Sequence, residues 1–160
     1  MPRFYRAAEA ALGLKRVRRA GWVESGLRDV ESVADHSFSL AIISMIESEI
    51  RRLDVLKAVK MALIHDIAET YTGDLTPRMK RWIDRKILNR LEEAIIWELF
   101  SNLQPKIRRR YHEIYRDFLR GESAEARLVH RLDKWEMRLE AQRIRRERRR
   151  LPRRMLRMLK

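Results

Sequence analysis

The sequence predicts an all-α fold, a compact bundle of five to seven helices. Apolar residues recur at spacings of three and four in several segments, which is the period of a helix with one apolar face. No segment shows the strict alternation of apolar and polar residues that is typical of a half-buried strand. The predicted helices span about residues 5–14, 32–53, 56–71, 83–103, 107–119 and 124–150.

The second predicted helix, over about 32–53, illustrates the pattern. Its apolar residues form one broad helical face: Val33, Phe38, Ala41, Ile42, Met45, Ile46, Ile50 and Leu53. Glycine and proline mark the ends of other helices. Gly21 and Gly26 lie in a predicted loop after the first helix, Gly73 is a predicted helix cap, and Pro77 can open a new turn.

Length and composition favour one cytoplasmic domain. No linker rich in Pro, Gly or Ser divides the 160 residues, so we expect a single domain over residues 1–160. No stretch reaches the roughly 18 apolar residues of a membrane span, and the N-terminus has no signal-peptide core. The absence of cysteine fits a reducing compartment, so the expected location is cytoplasmic.

Positive charge is concentrated towards the C-terminus. The formal net charge is +14, and from Arg138 to Lys160 eleven Lys and Arg residues stand against two Glu. An Arg-rich helix or tail from about residue 138 would bind polyanions without sequence preference. No aromatic residue follows Trp135 to stack on a base. A solvated helix end is therefore the simpler interpretation of this segment.

His65 and Asp66 form the most informative motif. The surrounding Ala, Val, Met and Leu residues indicate a core wall, where a charged Asp requires a cationic partner. A neutral imidazole and a carboxylate are suitable ligands for a divalent metal. His36, near the start of an earlier helix, and Asp133, within the last one, would complete four N/O donors. This set suits Mn, Co, Fe, Ni or Mg rather than a Cys-based structural zinc site.

Five sequence blocks extend the motif, in the order Arg19–Trp22, Glu31–His36, His65–Glu69, Thr72–Pro77 and Leu132–Met137. Together they resemble the HD-domain metal-dependent phosphohydrolases, and within these the 5'-nucleotidase branch. The resemblance implies an HD-type domain, one divalent ion (Co, Mn, Fe, Ni, Mg or Zn), and hydrolysis of (deoxy)ribonucleoside 5'-monophosphates to nucleoside and phosphate. The chain departs from the branch near Asp133, where His130 and Arg131 replace acidic residues.

Two acidic residues are the candidate catalytic groups. Glu69 lies four residues after His65, one helical turn along the same face, so we expect it to position and deprotonate a water at the metal. Asp74 is, as the resemblance implies, the proton donor to the leaving 5'-oxygen. The plain alternatives are an exposed Glu in an amphipathic helix and an ordinary turn Asp.

Four further residues are expected to bind the substrate. Arg19 offers a planar fork to phosphate, and Trp22 an apolar face to the sugar or base. Thr76 and Pro77 are expected to line the same pocket. Of the remaining histidines, His112 has no partner in the sequence around it and is expected to be a surface or interface residue. His130 is expected to be a packed side chain; the alternative, from its place three residues before Asp133, is a partner of the metal ligands.

Other functions are also compatible with the sequence. The chain could hydrolyse a nucleoside triphosphate or a signalling nucleotide, or it could be a non-catalytic HD module that binds polyanions or serves as a scaffold. Apolar and aromatic residues are plentiful in the C-terminal half, more than a 160-residue core is expected to bury completely; they include Trp82, Trp97, Phe100, Tyr111, Tyr115 and Phe118. Surplus apolar surface usually becomes an interface, so we expect a homodimer, as the resemblance also implies.

Overall fold

A computed structural model describes residues 1–147, and it confirms the all-α prediction. This part of the chain contains six helices of ten or more residues and three of four or five. They are α1 (Tyr5–Leu14), α2 (Ala20–Glu24), α3 (Val33–Arg51), α4 (Val55–Ile64), α5 (Glu69–Thr72), α6 (Pro77–Lys80), α7 (Arg85–Leu99), α8 (Pro105–Arg120) and α9 (Ala124–Glu147). The Arg-rich tail beyond Glu147 lies outside the described residues.

Two local predictions are wrong. The single helix expected over 56–71 is divided into α4 and α5, because residues 65–68 form tighter turns. There the amides of Ile67 and Glu69 bond to carbonyls three residues back, at 3.2 and 2.9 Å, instead of four. Gly21 was expected in a loop but lies inside α2, a helix too short to show a period in the sequence.

The centre of the molecule is the pair α3 and α4, joined by residues 52–54 and packed along each other. Helix α9 lies against both, α8 packs on α4 and α9, and α7 packs on α8. Helix α1 closes the side formed by α3, α5 and α7. The main core lies between them and includes Leu40, Met61, Ile96, Tyr115 and Val129.

A second, smaller cluster ties the N-terminal segment to the end of α9. Trp22 and Leu27 pack against Ala141 and Ile144. This contact holds α2 beside the C-terminal part of α9, about two helical turns after Asp133.

Helix α3 turns most of its large apolar side chains outwards. Its inner face carries Leu40 and Ala41 but also Ser44 and Ser48, both fully buried. The outer face carries an exposed row that we call the α3 stripe: Phe38, Ile42, Met45, Ile46 and Ile50. Small inner side chains let α3 lie close to its neighbours, so the apolar period of this helix does not mark the core side.

The core takes up only part of the aromatic residues of the C-terminal half. Phe100, Tyr115 and Phe118 are buried, whereas Trp82 and Trp97 are exposed. Three of the six side chains therefore belong to the core, and a surplus remains exposed at Trp82 and Trp97. Among the helices within residues 1–147, none combines the length and apolar character that a membrane crossing requires.

Candidate active site

The four predicted metal ligands come together where α3, the end of α4 and α9 meet. His36 lies in the first turns of α3, just after a capping box in which the Ser32 hydroxyl accepts from the Asp35 amide at 3.1 Å. His65 and Asp66 occupy the turn after α4. Ligand atoms of His36, His65 and Asp66 lie within 4.8 Å of one another.

Asp133 completes the group from the middle of α9. Its Oδ1 atom lies 3.1 Å from the Nε2 atom of His36. The corresponding distance from His65 Nε2 to Asp66 Oδ2 is 2.9 Å. Two donors that bind one ion at about 2.1 Å, at right angles, lie about 3.0 Å apart. The two nitrogen–oxygen distances are therefore those of neighbouring ligands around one cation.

The two imidazoles present unused nitrogens to this space. His65 Nδ1 lies 2.8 Å from the Ala62 carbonyl, so it carries the proton and leaves Nε2 as a lone pair. Within the described residues, Nε2 of His36 and Nε2 of His65 are buried without a well-directed hydrogen bond. Buried nitrogens without partners, faced by two carboxylates, fit a divalent ion.

The electrostatics of the cluster also fit a cation. Burial alone would lower the pKa of His36, but the nearby carboxylates of Asp133 and Glu136 raise it to about 9. Burial opposes ionisation of Asp66, yet His65 and Arg19 hold the pKa of this carboxyl well below its usual range. The pocket thus keeps anionic oxygens in a buried place and binds positive charge there.

Glu69 opens α5 beside the ligands and is buried, with 6% of its surface exposed. This burial excludes the alternative of an exposed helix Glu. Burial, then the nearby charges of Asp66 and Asp74, raise the pKa of Glu69 to about 10. Its Oε2 atom has no hydrogen-bond partner in the described part of the chain. A divalent ion at the four ligands would favour the ionised carboxylate by simple attraction.

Arg19 lies between the ligand Asp66 and the catalytic candidate Asp74 and contacts both carboxylates. Arg19 precedes α2 and is buried; its Nη1 atom is 3.4 Å from Asp66 Oδ2 and 3.8 Å from Asp74 Oδ2. Burial would lower the pKa of Arg19, but these two carboxylates raise it. Asp74 also accepts a hydrogen bond from the Ala20 amide at 2.8 Å. The loop after α5 is thereby tied to the start of α2.

The remaining predicted substrate contacts line a cavity of about 280 Å³ next to Asp66 and Asp133. Trp22 is buried in its wall and donates its indole N–H to Glu31 at 2.9 Å. Thr76 caps α6 and donates to Glu24 at 3.1 Å, and Pro77 is the first residue of α6. All four predicted contacts, from Arg19 to Pro77, therefore border one space.

A second cavity of about 480 Å³ adjoins the first and shares Asp66 and Glu69 with it. Its wall includes three cations that the sequence did not single out, Lys80, Arg81 and Arg85. Lys80 borders both cavities. Its position one helical turn after Pro77, a predicted pocket residue, could have identified Lys80 from the sequence.

The sequence also missed the residue behind His36. Glu136 is buried on α9, and its Oε2 atom lies 2.6 Å from His36 Nδ1. Its place three residues after Asp133, on the same face of the helix, could have identified it.

The two other histidines of the chain do not belong to the group of predicted metal ligands. His130 stacks on Phe118 and its Nε2 atom lies 2.7 Å from the Phe118 carbonyl, as expected for a packed side chain. The expectation that His112 has no partner is wrong. Its Nε2 atom lies 3.7 Å from Glu93 Oε2, and its ring meets Trp97 edge-on.

Comparisons with known proteins agree with this geometry. The chain is 35% identical over 128 residues to human 5'-deoxynucleotidase HDDC2, a match that covers 80% of this chain and 61% of the human protein. It is 37% identical to 5'-deoxynucleotidase YBR242W of Saccharomyces cerevisiae, over 78% of this chain and 52% of the yeast protein. The chain thus spans about three-fifths of the length of such curated relatives.

Solved structures share the fold of this chain. The crystal structure of the PH0347 protein from Pyrococcus horikoshii OT3 superposes with a TM-score of 0.78 at 29% identity, covering 94% of this chain and 82% of that one. A conserved hypothetical protein from Pyrococcus furiosus gives a TM-score of 0.73 at 28% identity, over 85% and 78% of the two chains. The family model described as HD domain matches residues 12–153. The chain therefore belongs to the HD domain family, whose members depend on a metal.

Proposed function

We propose that this protein is a metal-dependent phosphomonoesterase that hydrolyses deoxyribonucleoside 5'-monophosphates to nucleoside and phosphate. The observation that supports this most directly is the convergence of His36, His65, Asp66 and Asp133 beside the buried Glu69. The relatives named 5'-deoxynucleotidase support the choice of substrate class.

One divalent ion held by the four ligands would neutralise phosphate oxygens and lower the pKa of water toward neutrality. Arg19 lies 3.4 Å from Asp66, at the edge of the first cavity, so its guanidinium can bind the phosphate oxygens that face away from the ion. The phosphate is thereby placed between the ligand cluster and α2.

Glu69 is assigned the role of positioning and deprotonating the attacking water. It borders both cavities, so its carboxylate can contact a water next to a phosphate bound at the ligands. Its burial keeps competing solvent away from the carboxylate. Such a general base typically contributes about 10²–10⁴-fold to the rate.

Asp74 is assigned the role of proton donor to the leaving 5'-oxygen. It lines the first cavity, where the nucleoside would lie against Trp22, with Thr76 and Pro77 on the same wall. The hydrogen bond from Ala20 fixes one oxygen of Asp74 and so its orientation.

A substrate panel tests the proposal. Phosphate release would be measured from dAMP, the other deoxynucleoside monophosphates and AMP, with EDTA and after readdition of Co, Mn, Fe, Ni, Mg or Zn. We expect release from the monophosphates that EDTA abolishes and one of these metals restores. Turnover of none of them would overturn the function.

A second candidate is hydrolysis of a nucleoside triphosphate or a signalling nucleotide. Lys80, Arg81 and Arg85 in the second cavity are the observation that favours it, because they could bind additional phosphates. The same panel decides, with dATP, GTP and a cyclic dinucleotide included. A larger kcat/KM for any of these than for dAMP would favour this candidate.

We further propose that the protein is a cytoplasmic homodimer, and that the α3 stripe supplies the interface rather than the aromatic residues of the C-terminal half. These side chains are 39–70% exposed and lie on one side of one helix. Contiguous exposed apolar surface of this kind usually marks an interface. Light scattering at low and moderate salt should give twice the 19.4 kDa chain mass.

Polyanion binding through the Arg-rich tail is a separate proposal. Within the described part of this segment, Arg143 is paired with Glu140 and Glu147, each at 2.7 Å. The tail charge available to a polyanion lies mainly beyond Glu147. Removal of residues 148–160 should abolish salt-sensitive DNA binding and leave phosphate release intact, with salt matched between samples.

A further inference from the structure

His36 is held from both sides, and the two sides differ. Its Nε2 atom faces Asp133 at 3.1 Å, without a well-directed hydrogen bond, and its Nδ1 atom faces Glu136 at 2.6 Å. Donors bound to one ion at right angles would lie about 3.0 Å apart. The Nε2 side therefore has the spacing of metal ligands, and the Nδ1 side has the spacing of a strong hydrogen bond.

Glu136 is built into this position. It lies on α9 three residues after Asp133, so one helix face carries both the ligand and the carboxylate behind the other ligand. Glu136 and His36 are both buried, and only 6% of the Glu136 side chain is exposed. A buried carboxylate of this kind has few ways to move away from the imidazole.

We propose that Glu136 is the positioning residue of His36, and that it holds the imidazole with its proton on Nδ1 and its Nε2 lone pair towards the metal. The inference rests on the metal site of the proposed function. A carboxylate behind a ligating histidine fixes the tautomer and the ring orientation, and it makes the imidazole a stronger donor. Glu136 acts through His36 and does not touch the substrate.

Glu31 provides a control inside the same cluster. Its carboxylate lies within 4.8 Å of the ligand atoms of His36 and Glu136, but its hydrogen bond goes to the Trp22 indole at 2.9 Å. A change of Glu31 therefore alters the local charge without removing the hydrogen bond to His36.

The experiment measures affinity for Mn²⁺ or Co²⁺ by chelator competition, with no nucleotide present. Glu136→Ala should weaken binding by about 10–100-fold, the usual effect of removing such a partner. Glu136→Gln, which keeps the shape, should weaken it by a smaller factor of about 3–10. Glu31→Gln and the exposed Glu147→Gln should change it by less than about twofold, and circular dichroism establishes that each variant is folded.

Three results would overturn the inference. Equal affinity in wild type and both Glu136 variants would reduce Glu136 to a structural residue. Equal losses in Glu136→Gln and Glu31→Gln would show a general charge effect. Two ions in the wild type and one in Glu136→Ala would make Glu136 a ligand of a second metal. If Asp133→Ala keeps full affinity, the ligand assignment of the proposed function fails instead, which distinguishes the two failures.

Discussion

The inner and outer faces of α3 show opposite relations between polarity and burial. The inner face buries His36, Ser44 and Ser48 completely, whereas the outer face exposes Phe38 and Ile50 by 65% and 70%. Burying an imidazole is costly unless its nitrogens are used, and exposing a large apolar side chain forgoes its transfer free energy. Each face thus departs from the rule that apolar side chains are buried and polar side chains are exposed. A metal site accounts for the buried imidazole, and the proposed homodimer would cover the exposed outer face.

The largest expected effect belongs to the inner side. Asp133→Ala should leave a folded helical protein but remove one ligand and its charge from the metal site. Loss of the hydrogen-bond partner behind a metal ligand typically weakens metal binding by about 10–100-fold, so loss of a ligand itself should weaken it by more than about 100-fold. Elemental analysis and phosphate release from dAMP would measure this. Undiminished metal in the variant would remove Asp133 from the site.

A second change separates chemistry from metal binding on the same side. Glu69→Ala should retain metal and nucleotide binding and lower kcat by about 10²–10⁴-fold. Arg19→Ala is the matched comparison: if it binds phosphate in both ground and transition states, KM should rise more than kcat falls. Both are measured at fixed ionic strength, because a chain of net charge +14 attracts nucleotides nonspecifically. Near wild-type turnover by Glu69→Ala would leave activation of water to the metal alone.

The pH dependence of metal binding tests the inner side without any substitution. The pKa of His36 is raised to about 9, so the metal-free protein holds a proton there at neutral pH that the metal must displace. Affinity should therefore rise by at least about tenfold per pH unit between about 7 and 9, and the ionisation of Glu69, whose pKa is raised to about 10, adds to this rise. Chelator competition across this range, with proton release by calorimetry in two buffers, measures it. A flat profile would mean that His36 is already neutral.

The raised pKa of His36 also makes the stability of the metal-free protein depend on pH, in the opposite direction to metal affinity. A pKa raised in the folded state contributes stability that is fully present below the ordinary value of 6.5 and is lost as pH rises through about 9. Metal should thus stabilise most at the pH where the metal-free protein has lost this contribution.

The outer face is tested by Ile42→Glu in the middle of the α3 stripe. A buried, unpaired carboxylate at an interface is strongly unfavourable, so the variant should shift from dimer to monomer. Because Ile42 is 42% exposed in the isolated chain, folding and metal affinity should be nearly unchanged. Light scattering with parallel metal titration measures both. A dimer that persists at micromolar concentration would place the interface elsewhere, for example at Trp82.

The sequence could predict the helices better than the faces they bury. Helix α1 has the predicted bounds, and α3, α8 and α9 begin within two residues of their predicted starts. Helical period and capping residues are local signals that the chain carries by itself. Which side of α3 is buried depends on the small separation from its neighbours, a property of the packed bundle. The break after Ile64 was missed because the apolar run continues through it.

The candidate site divides in the same way. The ordered blocks along the sequence predicted the ligands, and the structure brings His36, His65, Asp66 and Asp133 together. The metal-binding roles of these four residues and the catalytic roles of Glu69 and Asp74 stay predictions. Glu136 was missed because its role comes from a contact with His36, 100 positions away, and its place on the same helix face as Asp133 is a weak local signal.

The smallest expected effect concerns the inner serines of α3. Ser48 is fully buried and its hydroxyl has no hydrogen-bond partner among the described residues, whereas the buried hydroxyl of Ser37 donates to the Val33 carbonyl at 2.8 Å. Ser48→Ala should raise the free energy of unfolding by about 1 kcal/mol, because a buried polar group without a partner is removed and alanine favours the helix. Ser37→Ala is the matched control and should lower it by about 0.5–1 kcal/mol, the net value of one hydrogen bond. Urea unfolding of the metal-free proteins at one pH measures both. If Ser48→Ala is destabilised as much as Ser37→Ala, the Ser48 hydroxyl has a partner in solution, and the inner face of α3 is polar for a structural reason as well as for its metal ligand.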